Sequence, residues 1–243
     1  MNINESINES IKNEFILYFT SHYMIIGIAG KMGCGKDYIC NNVIIPLLKN
    51  NGKNFLQVSF ADQIKVNVMT KQNIKFEDVY VSKTNQTRRL LQMEGTENGR
   101  NLLGKDIWIK YFDNWIAVYK SRGVDIFICT DVRFINELHH IKSLGGIIIK
   151  IDAPLRNLNR LNQESNGDET ILQSLRSHSS ECDLDNIPDD YYDLVIKNDP
   201  GNNITEYKES VSKLFPCCIE RKDKCCILFY FTSRYHFHYC TSK

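Results

Sequence analysis

Met24-Ile-Ile-Gly-Ile-Ala29, followed at once by Gly30-Lys-Met-Gly-Cys-Gly-Lys36-Asp37, decides how this chain is read. The first six residues are too few for a stable helix and rich in β-branched side chains. Such a run, bounded by glycine, reads as a strand buried on both faces. The next eight hold G-x-x-x-x-G-K, with a helical stretch predicted from Lys36 to about Leu48. Strand, glycine loop and helix in that order form a cradle for phosphate. Glycines let backbone N–H groups turn inward, the helix start adds positive potential, and the lysine ammonium reaches the outer phosphates. Gly33 adds a permissive position and Lys31 further charge. Residue 37 is Asp where Ser or Thr commonly ligates Mg²⁺; a carboxylate oxygen also suits that ion.

Outward from this loop the chain alternates. Strands are expected at Phe55–Phe60, Asp125–Thr130, Ile147–Ile151 and Asp193–Lys197, and helices at 61–70, 84–103, 106–121, 134–144 and 204–215. The expected fold is therefore α/β, a five-stranded parallel sheet with helices on both faces. One domain spans 23–215. Residues 1–22 read as a polar, poorly ordered leader. Residues 155–190 are polar and rich in arginine, and read as a mobile lid.

Length and composition agree with one compact domain. The chain has 243 residues, 42% of them hydrophobic and 24% charged, and 30 basic residues against 29 acidic give a net charge of +1. No global field draws it to nucleic acid. No apolar run approaches the ~20 residues of a membrane span, and no secretory signal precedes the first strand, so a cytoplasmic location is expected. Of nine cysteines, Cys217, Cys218, Cys225, Cys226 and Cys240 crowd residues 216–243, beside His236 and His238. Adjacent cysteines cannot easily point both sulfurs at one ion, so this reads as a Cys- and aromatic-rich extension rather than a zinc site.

Three further clusters carry chemistry. The third strand runs into Thr130-Asp131-Val-Arg133, and in a parallel sheet ligands gather at the carboxyl ends of strands. There a carboxylate orders Mg²⁺ or its waters, and an arginine forks onto phosphate oxygens. Between the second and third strands lies Thr87-Arg88-Arg89-Leu-Leu-Gln92-Met-Glu-Gly95-Thr-Glu-Asn-Gly99-Arg100. Its glycines suggest a helix broken to serve a pocket, with Arg88 and Arg100 placed to clamp a monophosphate. Arg156, Arg160 and Arg176, followed by His178-Ser-Ser-Glu181, supply the cations that a closing segment brings to phosphoryl transfer.

Taken in order, Gly30–Asp37, Ser59-Phe-Ala-Asp62-Gln-Ile-Lys65, Gly95-Thr-Glu97 through Arg100, Asp106-Ile-Trp108, Asp131-Val-Arg-Phe-Ile-Asn-Glu137 and His178-Ser-Ser-Glu181 resemble the deoxynucleoside monophosphate kinases of large bacteriophages and DNA viruses. The resemblance covers about residues 24–215. It implies a P-loop kinase fold with core, acceptor-binding and lid segments. It also implies transfer of the ATP γ-phosphoryl to a (deoxy)nucleoside monophosphate with Mg²⁺, supplying precursors for DNA synthesis.

Carried over residue by residue, Gly30, Lys31, Met32, Gly33, Cys34, Gly35, Lys36, Asp37 and Tyr38 would bind ATP. Ala61, Lys65, Arg88, Gln92, Arg100, Asp131 and Arg133 would surround the acceptor. Lys36, Arg133, Arg156 and Arg160 would be catalytic, and Asp37 and Asp131 would face the metal. The expected partners are small nucleotides, without membrane or nucleic acid; a homodimer stays open, and a viral protein would work in the host cytoplasm. Two alternatives remain at this stage. Another P-loop small-molecule kinase is one, since the phosphomevalonate kinases of animals also resemble this chain. The other is an ATP-gripping interaction module without an acceptor.

Overall fold

The computed structural model describes residues 23–201 and 203–215; the leader and the Cys-rich extension lie outside the described residues. Five strands form one sheet: β1 (Met24–Ala29), β2 (Phe55–Gln57), β3 (Ile126–Val132), β4 (Ile147–Asp152) and β5 (Leu194–Lys197). Their order is β2-β3-β1-β4-β5, and every pairing is parallel. Alternate residues feed opposite layers. Ile26, Ile28, Ile128 and Ile149 face Ile39, Val43, Val211 and Phe215 on one side. Ile25, Phe127 and Ile148 face Phe112, Ile116, Leu138 and Ile141 on the other. Burial on both faces makes the strands near-continuously apolar, and the three-layer expectation holds.

The chain leaves β1 toward β2 and returns past β1 from β3 to β4. Adjacent strands β1 and β3 thus send their connections in opposite directions, which opens a crevice beyond their carboxyl ends. Both phosphate-reading motifs lie there.

Several boundaries differ from expectation, each for a local reason. β2 stops at Gln57 instead of Phe60, because the N–H groups of Ser59, Phe60 and Ala61 turn to carboxylates of Asp62 and Asp131 instead of continuing the ladder. The helix after the glycine loop starts as α1 (Lys36–Ile39), widens into an i→i+5 turn at Cys40–Ile44 and finishes as α2 (Ile45–Asn50). Pro46 offers no N–H and crowds the preceding carbonyls, which accounts for the wide turn just before it.

α3 (Asp62–Gln72) and α4 (Phe76–Tyr80) lead to α5 (Asn85–Gly95), which passes into a second wide turn, Thr96–Asn101. The expected break at the glycines is absent. Gly99 instead makes room for an indole, since a Cβ there would lie 2.2 Å from Trp108 Cζ2. Trp108 starts α6 (Ile107–Lys120) and donates to the Gly95 carbonyl at 2.8 Å. After α7 (Ile135–Ser143), the polar stretch near 155–190 is helical: α8 (Pro154–Ser165), α9 (Glu169–Ser177) and α10 (Ser179–Cys182). α11 (Ile204–Leu214) closes the fold. No helix among the described residues is long and apolar enough to cross a membrane.

Candidate active site

Three glycines of the loop adopt positive φ: Gly30 at 145°, Gly33 at 80° and Gly35 at 92°. A Cβ at Gly30 would lie 2.4 Å from the Ile151 carbonyl oxygen, so the turn needs glycine for space as well as for conformation. The Asn198 side-chain amide, just past β5, donates to the Cys34 carbonyl at 2.8 Å and braces the loop from behind. Lys36 folds back over it, its ammonium donating to Gly30 O at 2.8 Å and Lys31 O at 2.9 Å. Burial lowers the Lys36 pKa from the ordinary lysine value; Cys34 opposes this and Arg133 adds to it. The ammonium thus sits in a desolvated ring of backbone oxygens, a setting in which an arriving phosphate would offer it strong acceptors. Asp37 and Tyr38, expected beside ATP, are exposed at the start of α1.

The carboxyl end of β3 faces this loop. Asp131 is half-buried, and both its oxygens are taken. Oδ1 accepts from Phe60 N and Cys129 Sγ at 3.1 Å each, and Oδ2 from Ala61 N at 3.0 Å and from Ser59 Oγ. Burial pushes its carboxyl upward, yet Lys65 and these hydrogen bonds outweigh that and hold it below the usual carboxylate value. Its geometry makes it the anchor of the 59–61 turn. Of the two expected metal carboxylates, Asp37 accepts no hydrogen bond from a described side chain or backbone donor, and remains available. No cluster of three or more His, Cys, Asp or Glu among the described residues could hold a metal. A single free carboxylate fits Mg²⁺, which commonly completes its shell with waters and substrate phosphates.

Two cavities meet at this rim. One, of about 930 Å³, is walled by Gly33, Lys36, Asp37 and Tyr38. The second, of about 760 Å³, is lined by Phe60, Arg88, Gln92, Arg100, Trp108 and Glu137. Met32, Ala61, Lys65, Lys83, Asp131 and Arg133 line both.

In the second cavity Arg100 lies over the Phe134 ring, 3.6 Å from its centroid, and pairs with Glu137 at 2.5 Å. Glu137 also accepts the N–H groups of Arg133 and Phe134 at 2.9 and 3.1 Å, which caps α7. Burial pushes Glu137 up to about 7, with Arg100 opposing and Asp131 reinforcing.

Arg160 reaches the loop from α8. Its side chain lies against Gly33, and its Nε is buried with no hydrogen-bond partner among the described residues. An orphaned, desolvated guanidinium N–H beside a glycine loop fits a phosphate oxygen. Arg133 Nη1 bonds the Glu181 carboxylate at 2.9 Å at the same place. Arg156 behaves differently. It is exposed and lines neither cavity; its backbone N–H donates to Asp199 at 3.1 Å, fixing the start of α8.

Lys83 is the residue the motifs missed. It stands in the short connection between α4 and α5, exposed at the cavity edge and with no ion pair among the described residues; desolvation together with Lys65, Arg88 and Arg133 lowers its pKa, and Asp37 opposes them. A single lysine in a polar turn carries no local signal; only the cations gathered around it mark the place.

Among known proteins, the chain is 26% identical over 192 residues to a protein of Acanthamoeba polyphaga mimivirus that bears the name of a deoxynucleotide monophosphate kinase, covering 71% of this chain and 94% of that one. Shikimate kinase from Acinetobacter baumannii shares 13% identity and a TM-score of 0.43, over 82% of this chain and 97% of that one. The APS kinase of Mycobacterium tuberculosis shares 12% and 0.42, over 80% and 98%. Both likenesses are weak, and the fold rests on its own strand order. The family model for deoxynucleotide monophosphate kinases matches residues 38–199, more than half of the chain. A match of that extent settles kinship: the chain belongs to the deoxynucleotide monophosphate kinase family, and it is a phosphotransferase.

Proposed function

We propose that this enzyme transfers the γ-phosphoryl group of ATP to the phosphate of a deoxynucleoside 5′-monophosphate, giving ADP and the diphosphate, as a supplier of precursors for DNA synthesis. One observation carries the reading. The cavity at the glycine loop and the cavity at Arg88 and Arg100 share a wall at Met32, Lys65, Lys83 and Arg133. Two anionic nucleotides laid end to end would bring their phosphates to that cationic wall.

The chemistry asks little of covalent catalysis. An oxygen of the acceptor phosphate attacks the γ-phosphorus while its bond to the β-phosphate oxygen breaks, and ADP leaves with those electrons. Loop amides and Lys36 hold the donor. Lys65, Arg88 and Arg100 orient the acceptor, and Arg133 and Arg160 neutralise charge on the transferred group. Gln92, beside Arg88, faces the acceptor. Asp37 would hold Mg²⁺, which when bound spreads charge across the donor phosphates. Residues 154–182 serve as the lid that excludes water.

The test is ADP release with dTMP, dGMP, 5-hydroxymethyl-dCMP and dAMP as acceptors, with phosphomevalonate and dephospho-CoA as competing candidates. Transfer to at least one deoxynucleotide, lost by at least about 100-fold in Lys36→Ala with the fold retained, is expected. ATP binding without transfer to any monophosphate would overturn the proposal.

A further inference from the structure

His178-Ser-Ser-Glu181 has no part in the reaction as described, yet its glutamate points into the heart of the site. His178 Nδ1 pairs with Ser180 Oγ at 2.8 Å, and Glu181 N donates to the His178 carbonyl at 2.8 Å. This turn delivers the Glu181 side chain inward, where it is 8% exposed. Oε1 accepts from Arg133 Nη1 at 2.9 Å. Oε2 accepts from the Met32 backbone N–H at 3.1 Å and from Arg160 Nη2 at 3.3 Å.

A loop amide and two guanidinium groups converging on one anion form a phosphoryl-binding arrangement. The occupant is a carboxylate with two oxygens, and the neighbouring Arg160 Nε is left without an acceptor. A phosphoryl group brings three oxygens and could satisfy that donor as well.

We propose that Glu181 is an internal stand-in for the transferred phosphoryl group. While the site is empty it holds Arg133 and Arg160 against the loop, and polyphosphate must displace it in order to bind. This rests on the phosphate-loop reading above. Glu181 is then a positioning residue with a cost: its charge competes with the donor phosphates for the same three donors. Gathering the arginines beforehand spares them rearrangement when nucleotide arrives, and the displaced carboxylate weakens donor affinity by the free energy of the bonds it gives up.

Calorimetric titration with inorganic tripolyphosphate, and separately with ATP, tests this on the full chain and on Glu181→Gln. The variant should bind tripolyphosphate roughly tenfold tighter, the scale of removing one like charge beside a partly desolvated anion. Its apparent KM for ATP should fall in parallel. A merely structural glutamate predicts the opposite sign, with a lower melting temperature and equal or weaker anion binding; that result, with wild type still binding, overturns this proposal alone. If neither protein binds tripolyphosphate or ATP, the phosphate-loop reading falls and takes the stand-in with it. Should Glu181→Gln fail to fold, Glu181→Asp serves. Its shorter side chain cannot span Met32 N and Arg133 together, and tighter anion binding is again expected.

Discussion

The side-chain amide nitrogen of Asn198 occupies the space that a side chain on Gly35 would need: a Cβ at residue 35 would lie 2.3 Å from it. Gly35 also sits at a φ of 92°, which L-residues rarely adopt. Gly35→Ala therefore meets two independent obstacles, one in its own backbone and one in the brace behind the loop. Destabilisation of about 1–3 kcal/mol is expected from the strain, together with a larger loss of ATP affinity as the loop is pushed forward. Urea midpoints and ATP titration report the two effects separately.

Asp131 holds the 59–61 turn by accepting from two backbone N–H groups as well as side-chain donors. In Asp131→Asn one amide face becomes a donor, and at least one buried N–H faces another donor. A loss of about 1–3 kcal/mol follows from the unsatisfied group. Because the native carboxyl is held below its unfolded value, its stabilisation is present above the unfolded carboxylate pKa and is lost as pH falls toward the native one. Melting curves should show wild type losing its advantage over the variant on the acid side.

Glu137 has the opposite sign. Its folded pKa of about 7 lies above the ordinary glutamate value of 4.5, so the native state holds more protons between those values. Stability from this group is present below pH 4.5 and declines as pH rises toward 7. Glu137→Gln imitates the protonated form. It should flatten the pH dependence of Tm across that window while keeping acceptors for the Arg133 and Phe134 N–H groups. Equal slopes in both proteins would refute the assignment.

Lys83 is crowded by cations, so its charge is unfavourable until an anion arrives. Lys83→Gln should leave Tm unchanged or slightly raised, and should raise the acceptor KM by roughly tenfold, the scale of one partly desolvated charge contact. The increase should shrink in high salt. A fall in stability with normal kinetics would assign the residue to the scaffold.

What could be read in advance followed the range of the signal. The glycine spacing from Gly30 to Lys36, and the β-branched run before it, are local properties, and they located the fold and the glycine turn at its sheet edge. Arg133 was legible because it ends a strand. The three donors that Asp131 captures from Ser59–Ala61 were not, since they lie some 70 residues earlier in the chain. α8 escaped for another reason. Leu155, Leu158 and Leu161 recur at helical spacing, but the segment is polar on average and its buried residues are Asn157, Leu161 and Ser165, so its composition reads as a loop. Its inner face reaches the glycine loop through Asn157, whose side-chain amide donates to the Met32 carbonyl at 3.4 Å. Lys83 and Glu181 acquire meaning only from what surrounds them.

The bracing of the glycine loop also bears on how the protein is made. Cys34 emerges early in synthesis, but the amide that steadies its carbonyl comes 164 residues later. The glutamate that meets Met32 N comes 149 residues later. Closing loops of that length is slow relative to local helix formation. A nascent chain halted before β5 would carry every glycine of the motif without its back wall. The loop's two long-range braces are then among the last contacts the polypeptide can form.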